Sequence, residues 1–189
     1  MNNAFEFIGD IFTAAPACFL AWPAAGMLAG TLLAMVSSKA GARLAVTPRA
    51  LGGLIGVMTG PFVHANWAHF SANLPPFLVL GWLVLRGDEA AFPEIALAIA
   101  GAQGALLWVC GRRAAHLGMS GVIFGFFGWL LAVAWFTRAT PDLLIAAGVL
   151  IFYGGMLAGV APARDGTSWE GHLFGLVAGG AVAWYYLGS

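Results

Sequence analysis

Three short stretches of this sequence set polar side chains in apolar surroundings, and their types fit nucleophilic catalysis. Ser120 lies in Gly118-Met119-Ser120-Gly121, and His172 lies in Gly171-His172-Leu173-Phe174-Gly175, with Gly179 following. A serine hydroxyl becomes a nucleophile when an imidazole within hydrogen-bonding reach takes its proton. The third stretch carries His64, His69 and Asn73, and the last two, four residues apart, share one face of a helix. Polar groups in lipid must find partners, and ionisable ones there mark function by default.

The elements that must position these groups are membrane helices. Of 189 residues, 61% are apolar and 8% charged, against roughly 45–50% and about 25% in a soluble domain. That composition excludes a free-standing soluble enzyme and a disordered chain. A net charge of zero leaves no basic face for nucleic acid. The many glycines and tryptophans fit a polytopic membrane protein, where small residues let helices approach and Trp lies at the interfaces.

A helical span needs roughly 20 mostly apolar residues. Six stretches predict spans: Ala14–Val36, Trp67–Leu85, Phe92–Val109, Met119–Phe136, Leu143–Val160 and Trp169–Leu187. The expectation is an all-α, single membrane domain over residues 1–189, with a short tail over 1–13, an apolar interfacial first loop over 37–66 and no separate soluble domain. The N-terminus lacks the basic region of a signal peptide, so the first span is expected to be retained. Cys18 and Cys110 fall on opposite faces of this arrangement and are expected not to pair. No Cys/His spacing of a metal site and no nucleotide-binding loop occurs, so neither metal nor cofactor is expected.

All three polar groups lie near span ends that face the odd-numbered loops, at one depth. Ser120 falls in the first turn of its helix, where free N–H groups and the positive dipole end favour an anion. Gly171, Gly175 and Gly179 recur every four residues and give the sixth span a bare stripe; Gly118, Gly121 and Gly125 thin the fourth in the same way. Two such helices in contact bring Ser120 to His172. Gln103, a lone polar residue of the third span, reads as helix–helix glue.

The set HxxxxHxxxN, GxSG and GHxxGxxxG, in this order on these spans, resembles the rhomboid family of intramembrane serine proteases. The resemblance implies a Ser120–His172 dyad without an acidic third member, cutting transmembrane protein substrates. It implies oxyanion donors from His69, Asn73 and the Ser120 N–H. It places Phe124, one turn below Ser120, where relatives stack an aromatic ring on the catalytic imidazole. His64 matches the outer histidine of the motif, in a structural or interfacial role, while His116 has no counterpart and reads as a loop residue. The resemblance further implies a bacterial plasma membrane, with the active site opening to the extracytoplasmic side.

The basic residues point the other way, since Lys39, Arg43, Arg49, Arg112, Arg113 and Arg164 all lie in odd-numbered loops and would make these cytoplasmic. Other expectations concern details. Pro75 and Pro76 should kink the second span and set the angle of Asn73, and the fifth loop, residues 161–168, would lie over the site as a flap. Two alternatives remain at this stage: a rhomboid-like protein that binds membrane helices without cutting them, and a small transporter with His69, Asn73 and Gln103 as its polar path. Nothing in the sequence specifies an oligomeric state.

Overall fold

The computed structural model describes residues 18–162 and 168–188. Among them the chain is all helical, and its only bridge between extended backbones joins Val46 to His116. Helix α1 (Cys18–Val36) leads into a connection that coils into α2 (Ser38–Leu44), a 3-10 turn (Leu51–Gly53), α3 (Gly56–Thr59) and a second 3-10 turn (Gly60–Phe62). Then come α4 (Trp67–Gly87), α5 (Phe92–Cys110), α6 (Ser120–Thr137), α7 (Thr140–Tyr153, continued as a 3-10 segment Gly154–Val160) and α8 (Trp169–Leu187).

Helices occupy all six expected spans over their described residues, with small shifts at their ends. Ala14 to Ala17, the tail before them and most of the expected flap lie outside the described residues. Among the described residues five helices are long and apolar enough to cross a membrane. The sixth, α8, is equally long but less apolar, carrying Glu170 and His172 in its first turn. It packs along α6 at the centre of the bundle.

Helix α6 is apolar on every side after Ser120, as a helix surrounded by others must be. Sixty-one per cent of its span is buried, against 11% for α7, which places α6 at the core and α7 at the rim. Phe126 and Phe127 anchor the core with Leu80, Ile95, Ile99 and Ile123. Helix α4 runs unbroken through Pro75 and Pro76.

The first connection is tied to the end of α5. Arg49 donates to the carbonyls of Val109 (2.9 Å) and Gly111 (2.8 Å), and the Trp108 indole donates to Ala50 O (2.9 Å). Cys18 and Cys110 are both free thiols. They are exposed, at the surface of the bundle.

Candidate active site

Ser120 is the first residue of α6 and His172 lies in the first turn of α8. What brings them together is backbone contact between the two helices. A Cβ on Gly175 would overlap the carbonyl of Gly121, one on Gly179 would overlap that of Gly125, and one on Gly128 would overlap that of Leu176. With the helices this close, His172 Nε2 lies 2.9 Å from Ser120 Oγ.

Two glycines of the expected stripes have other reasons to be there. Gly171 turns away from α6 toward Ser168 Oγ (2.8 Å from its ideal Cβ) and Gln103 Nε2 (3.7 Å). Gly118 precedes α6 with φ of 110°, in the left-handed region that glycine adopts without strain, and its ideal Cβ position is 2.7 Å from the His69 ring. Gln103 is buried between α5, α6 and α8, where Gly121 makes room for its amide.

The imidazole of His172 is held on its other sides as well. Its Nδ1 lies 2.9 Å from the carbonyl of Gly159, in the 3-10 segment that ends α7. Phe124 stacks flat against the ring, with centroids 4.3 Å apart and planes 8° from parallel. Ser120 and His172 are both half-buried and border one space. That space is a cavity of about 670 Å³ lined by Ser120, His172, His69, Asn73, Phe124 and Met156, among others.

His69 and Asn73 reach this cavity from the first turns of α4. The Asn66 side chain caps that helix by accepting from the His69 N–H (2.8 Å). Asn73 is buried, and its Nδ2 donates one hydrogen to the His69 carbonyl (2.8 Å). A carboxamide nitrogen carries two hydrogens, so the second remains for an acceptor in the cavity.

His64 lies behind the site, fully buried, and does not line the cavity. The Thr31 hydroxyl donates to Met27 O (2.6 Å), so it accepts from His64 Nδ1 (3.2 Å). This leaves His64 Nε2 to accept the N–H of Met119 (3.3 Å), the residue before Ser120. The second contact requires the neutral ring, because a protonated Nε2 cannot accept. Burial, with His69 5.0 Å away between ring centres, lowers its pKa from 6.5 to about 4.

Two residues carry more structure than their sequence positions suggested. His116 is buried, not a plain loop residue. Its Nδ1 meets Ser168 Oγ (2.6 Å), its Nε2 meets Arg112 O (2.9 Å), and its backbone pairs with Val46. Glu170 is also buried, and Arg112 Nε meets its Oε1 at 2.9 Å. Together these contacts fix the start of α8 to the α5–α6 connection and to the first loop. A buried acid two residues from the imidazole was the available signal, but helical spacing alone does not reveal a partner on another element. Among the described residues no cluster of His, Cys, Asp and Glu is placed to hold a metal ion.

The family model described as "Rhomboid domain" matches residues 51–189. An uncharacterized protein of Mycobacterium bovis is 38% identical over 170 residues, covering 84% of this chain and 70% of its own. One from Mycobacterium leprae is 37% identical over 145 residues, covering 72% and 57%. A chloroplastic rhomboid-like protein of Arabidopsis thaliana is 28% identical over 141 residues, covering 67% and 50%.

Proposed function

The chain belongs to the rhomboid family and is an integral membrane protein; from that premise we propose that it is a serine endopeptidase that cuts peptide bonds in or near the transmembrane helices of protein substrates. The observation that carries this reading is the 2.9 Å approach of Ser120 Oγ to His172 Nε2, on helices in backbone contact, at the wall of a cavity. A packing role alone would not require both groups to stay half-exposed there.

In the proposed reaction Ser120 Oγ attacks the scissile carbonyl carbon while His172 Nε2 takes the hydroxyl proton. The tetrahedral oxyanion is held by the Ser120 N–H at the start of α6, by the second hydrogen of Asn73 Nδ2, and by the His69 ring. The imidazolium then protonates the leaving amine as the C–N bond breaks, and water in the cavity hydrolyses the acyl-enzyme by the same steps in reverse. No cofactor takes part in this scheme. Lipid excludes water, so the cavity is as necessary to the chemistry as the dyad.

The test is labelling of the detergent-solubilised protein with a fluorophosphonate, together with cleavage of a transmembrane substrate in vesicles. Labelling of the wild type, lost in Ser120→Ala and His172→Ala, is the expected result. A wild type that binds membrane helices yet neither labels nor cuts them would be a silent relative, and the proposal would fall.

The same proposal has the cavity open on the extracytoplasmic side of a bacterial plasma membrane, with the C-terminus in the cytoplasm. Two of the odd-loop cations that oppose this orientation already have partners within the protein. Arg49 is bonded to the carbonyls that close α5, and Arg112 to Glu170, which weakens their pull toward the cytoplasm. A reporter fused after Ser189 should be active on the cytoplasmic side; activity outside would reverse the orientation.

A further inference from the structure

A serine–imidazole pair works only if the proton of the neutral ring sits on the nitrogen away from the serine. In the familiar triad a buried carboxylate fixes that tautomer. Here the acid nearest in sequence, Glu170, is engaged with Arg112. The atom 2.9 Å from His172 Nδ1 is a main-chain oxygen, that of Gly159. A carbonyl oxygen can only accept, so Nδ1 carries the hydrogen and the lone pair of Nε2 points at Ser120 Oγ.

We infer that the carbonyl of Gly159 is a positioning member of the catalytic group, and that the 3-10 turn ending α7 thereby favours the tautomer in which His172 is competent as a base. The inference rests on the Ser120–His172 reading above and adds to it the part of the chain that governs the pair. A side chain at position 159 would press on this contact, since its ideal Cβ falls 3.1 Å from His172 Nδ1 and 3.2 Å from Phe124 Cζ, so the rings must shift by a few tenths of an ångström to admit it.

The donor and the acceptor of this bond are anchored very differently. His172 is packed on α6 and stacked on Phe124, whereas none of the residues Gly154–Val160 is buried, and α7 buries only Ala146 and Val149. Displacement of this turn removes the carbonyl acceptor from Nδ1 and shifts the ring toward the tautomer with its proton on Nε2. In that tautomer the ring cannot accept a proton from Ser120.

Two measurements on the full chain in detergent test this. Two-bond nitrogen–proton spectra of labelled histidine report which nitrogen of His172 is protonated, and the fluorophosphonate labelling rate reports the reactivity of Ser120. The wild type should show the Nδ1–H tautomer. Gly159→Ala should show a mixture and label more slowly by about tenfold or more, since general-base assistance is worth roughly 10²–10⁴-fold. Gly148→Ala, in the helical part of α7 where a Cβ meets nothing within 4 Å, should match the wild type in both.

A wild-type ring protonated on Nε2, or a Gly159→Ala protein with wild-type tautomer and labelling rate, overturns the inference. The wild-type spectrum decides even if Gly159→Ala does not fold. A wild type that shows Nδ1–H but resists the probe would sink the endopeptidase reading while leaving the carbonyl's role intact. Rapid labelling with an Nε2–H ring would do the reverse.

Discussion

Arg112 Nε and Glu170 Oε1 meet at 2.9 Å, and through this contact the only acid in the first turn of α8 is committed to an arginine of the α5–α6 connection. Glu170 is buried while the Arg112 side chain is 46% exposed, so the pair holds two elements together at the rim of the site. Glu170→Gln should lower stability by about 1–2 kcal/mol, less than a fully buried pair would cost because water screens the arginine. It should leave the midpoint of the labelling-versus-pH curve where it is in the wild type. A displaced midpoint would make Glu170 part of the catalytic group.

The contact between α6 and α8 leaves no room for a methyl group. Gly175→Ala forces a Cβ into the carbonyl of Gly121, and neither backbone can yield without moving Ser120 or His172. Overpacking of this kind costs about 1–3 kcal/mol. A lower unfolding temperature in detergent is expected, together with loss of probe labelling. Gly180→Ala, whose Cβ meets nothing within 4 Å, is the matched control and should change neither.

His64 makes stability dependent on pH. Its pKa is about 4 in the folded protein, against 6.5 when unfolded, because burial disfavours the charged ring. The unfolded chain therefore binds the proton first, and stability is full above about pH 6.5 and falls as the pH drops toward 4. The gap of roughly 2.5 pH units sets a ceiling of about 3 kcal/mol on this loss, which solvent screening reduces. Replacing His64 with Asn, which stays uncharged, should flatten this part of the curve. An equally steep acid loss in His64→Asn would assign it to another group.

Asn73 is predicted to act on rate more than on binding. Its Nδ2 already holds the His69 carbonyl at 2.8 Å, which fixes the carboxamide before substrate arrives. An oxyanion donor is worth roughly 2.7–4 kcal/mol of barrier. Asn73→Ala should accordingly lower kcat on a transmembrane substrate by about 10²–10³-fold with little change in KM. Unaltered turnover would move the oxyanion site away from Asn73.

Substrates should be cut best where their helices unwind easily, since a peptide bond inside a helix is screened by its own hydrogen bonds. A series in which Gly or Pro near the scissile bond is replaced by Leu or Ala should lose cleavage progressively. Equal cleavage across the series would contradict that requirement.

Much of this architecture was legible in the residues. Hydropathy located all six helices, and glycine spacing identified the α6–α8 seam because only glycine permits backbone contact there. Ser120, His172, His69 and Asn73 surround one cavity, as their shared depth required. What stayed hidden depends on partners far apart in the chain. His116 lies in a connection as expected, but its burial was hidden because its contacts, Ser168 and Val46, lie on two other segments. Gly159 gave no signal at all, since the group that matters there is a carbonyl that every residue possesses. Gly118 was misplaced on a helix because its role comes from backbone angle, which a residue's spacing does not encode.

Helix α8, which carries His172, is the least apolar of the six and falls below the hydropathy of the five that qualify as spans on their own. A segment of that kind enters a bilayer only with help from helices already there, and α6 supplies a matching groove. In the proposed reaction the base therefore joins the bilayer later than the serine: until α8 is seated on α6, Ser120 has no imidazole beside it.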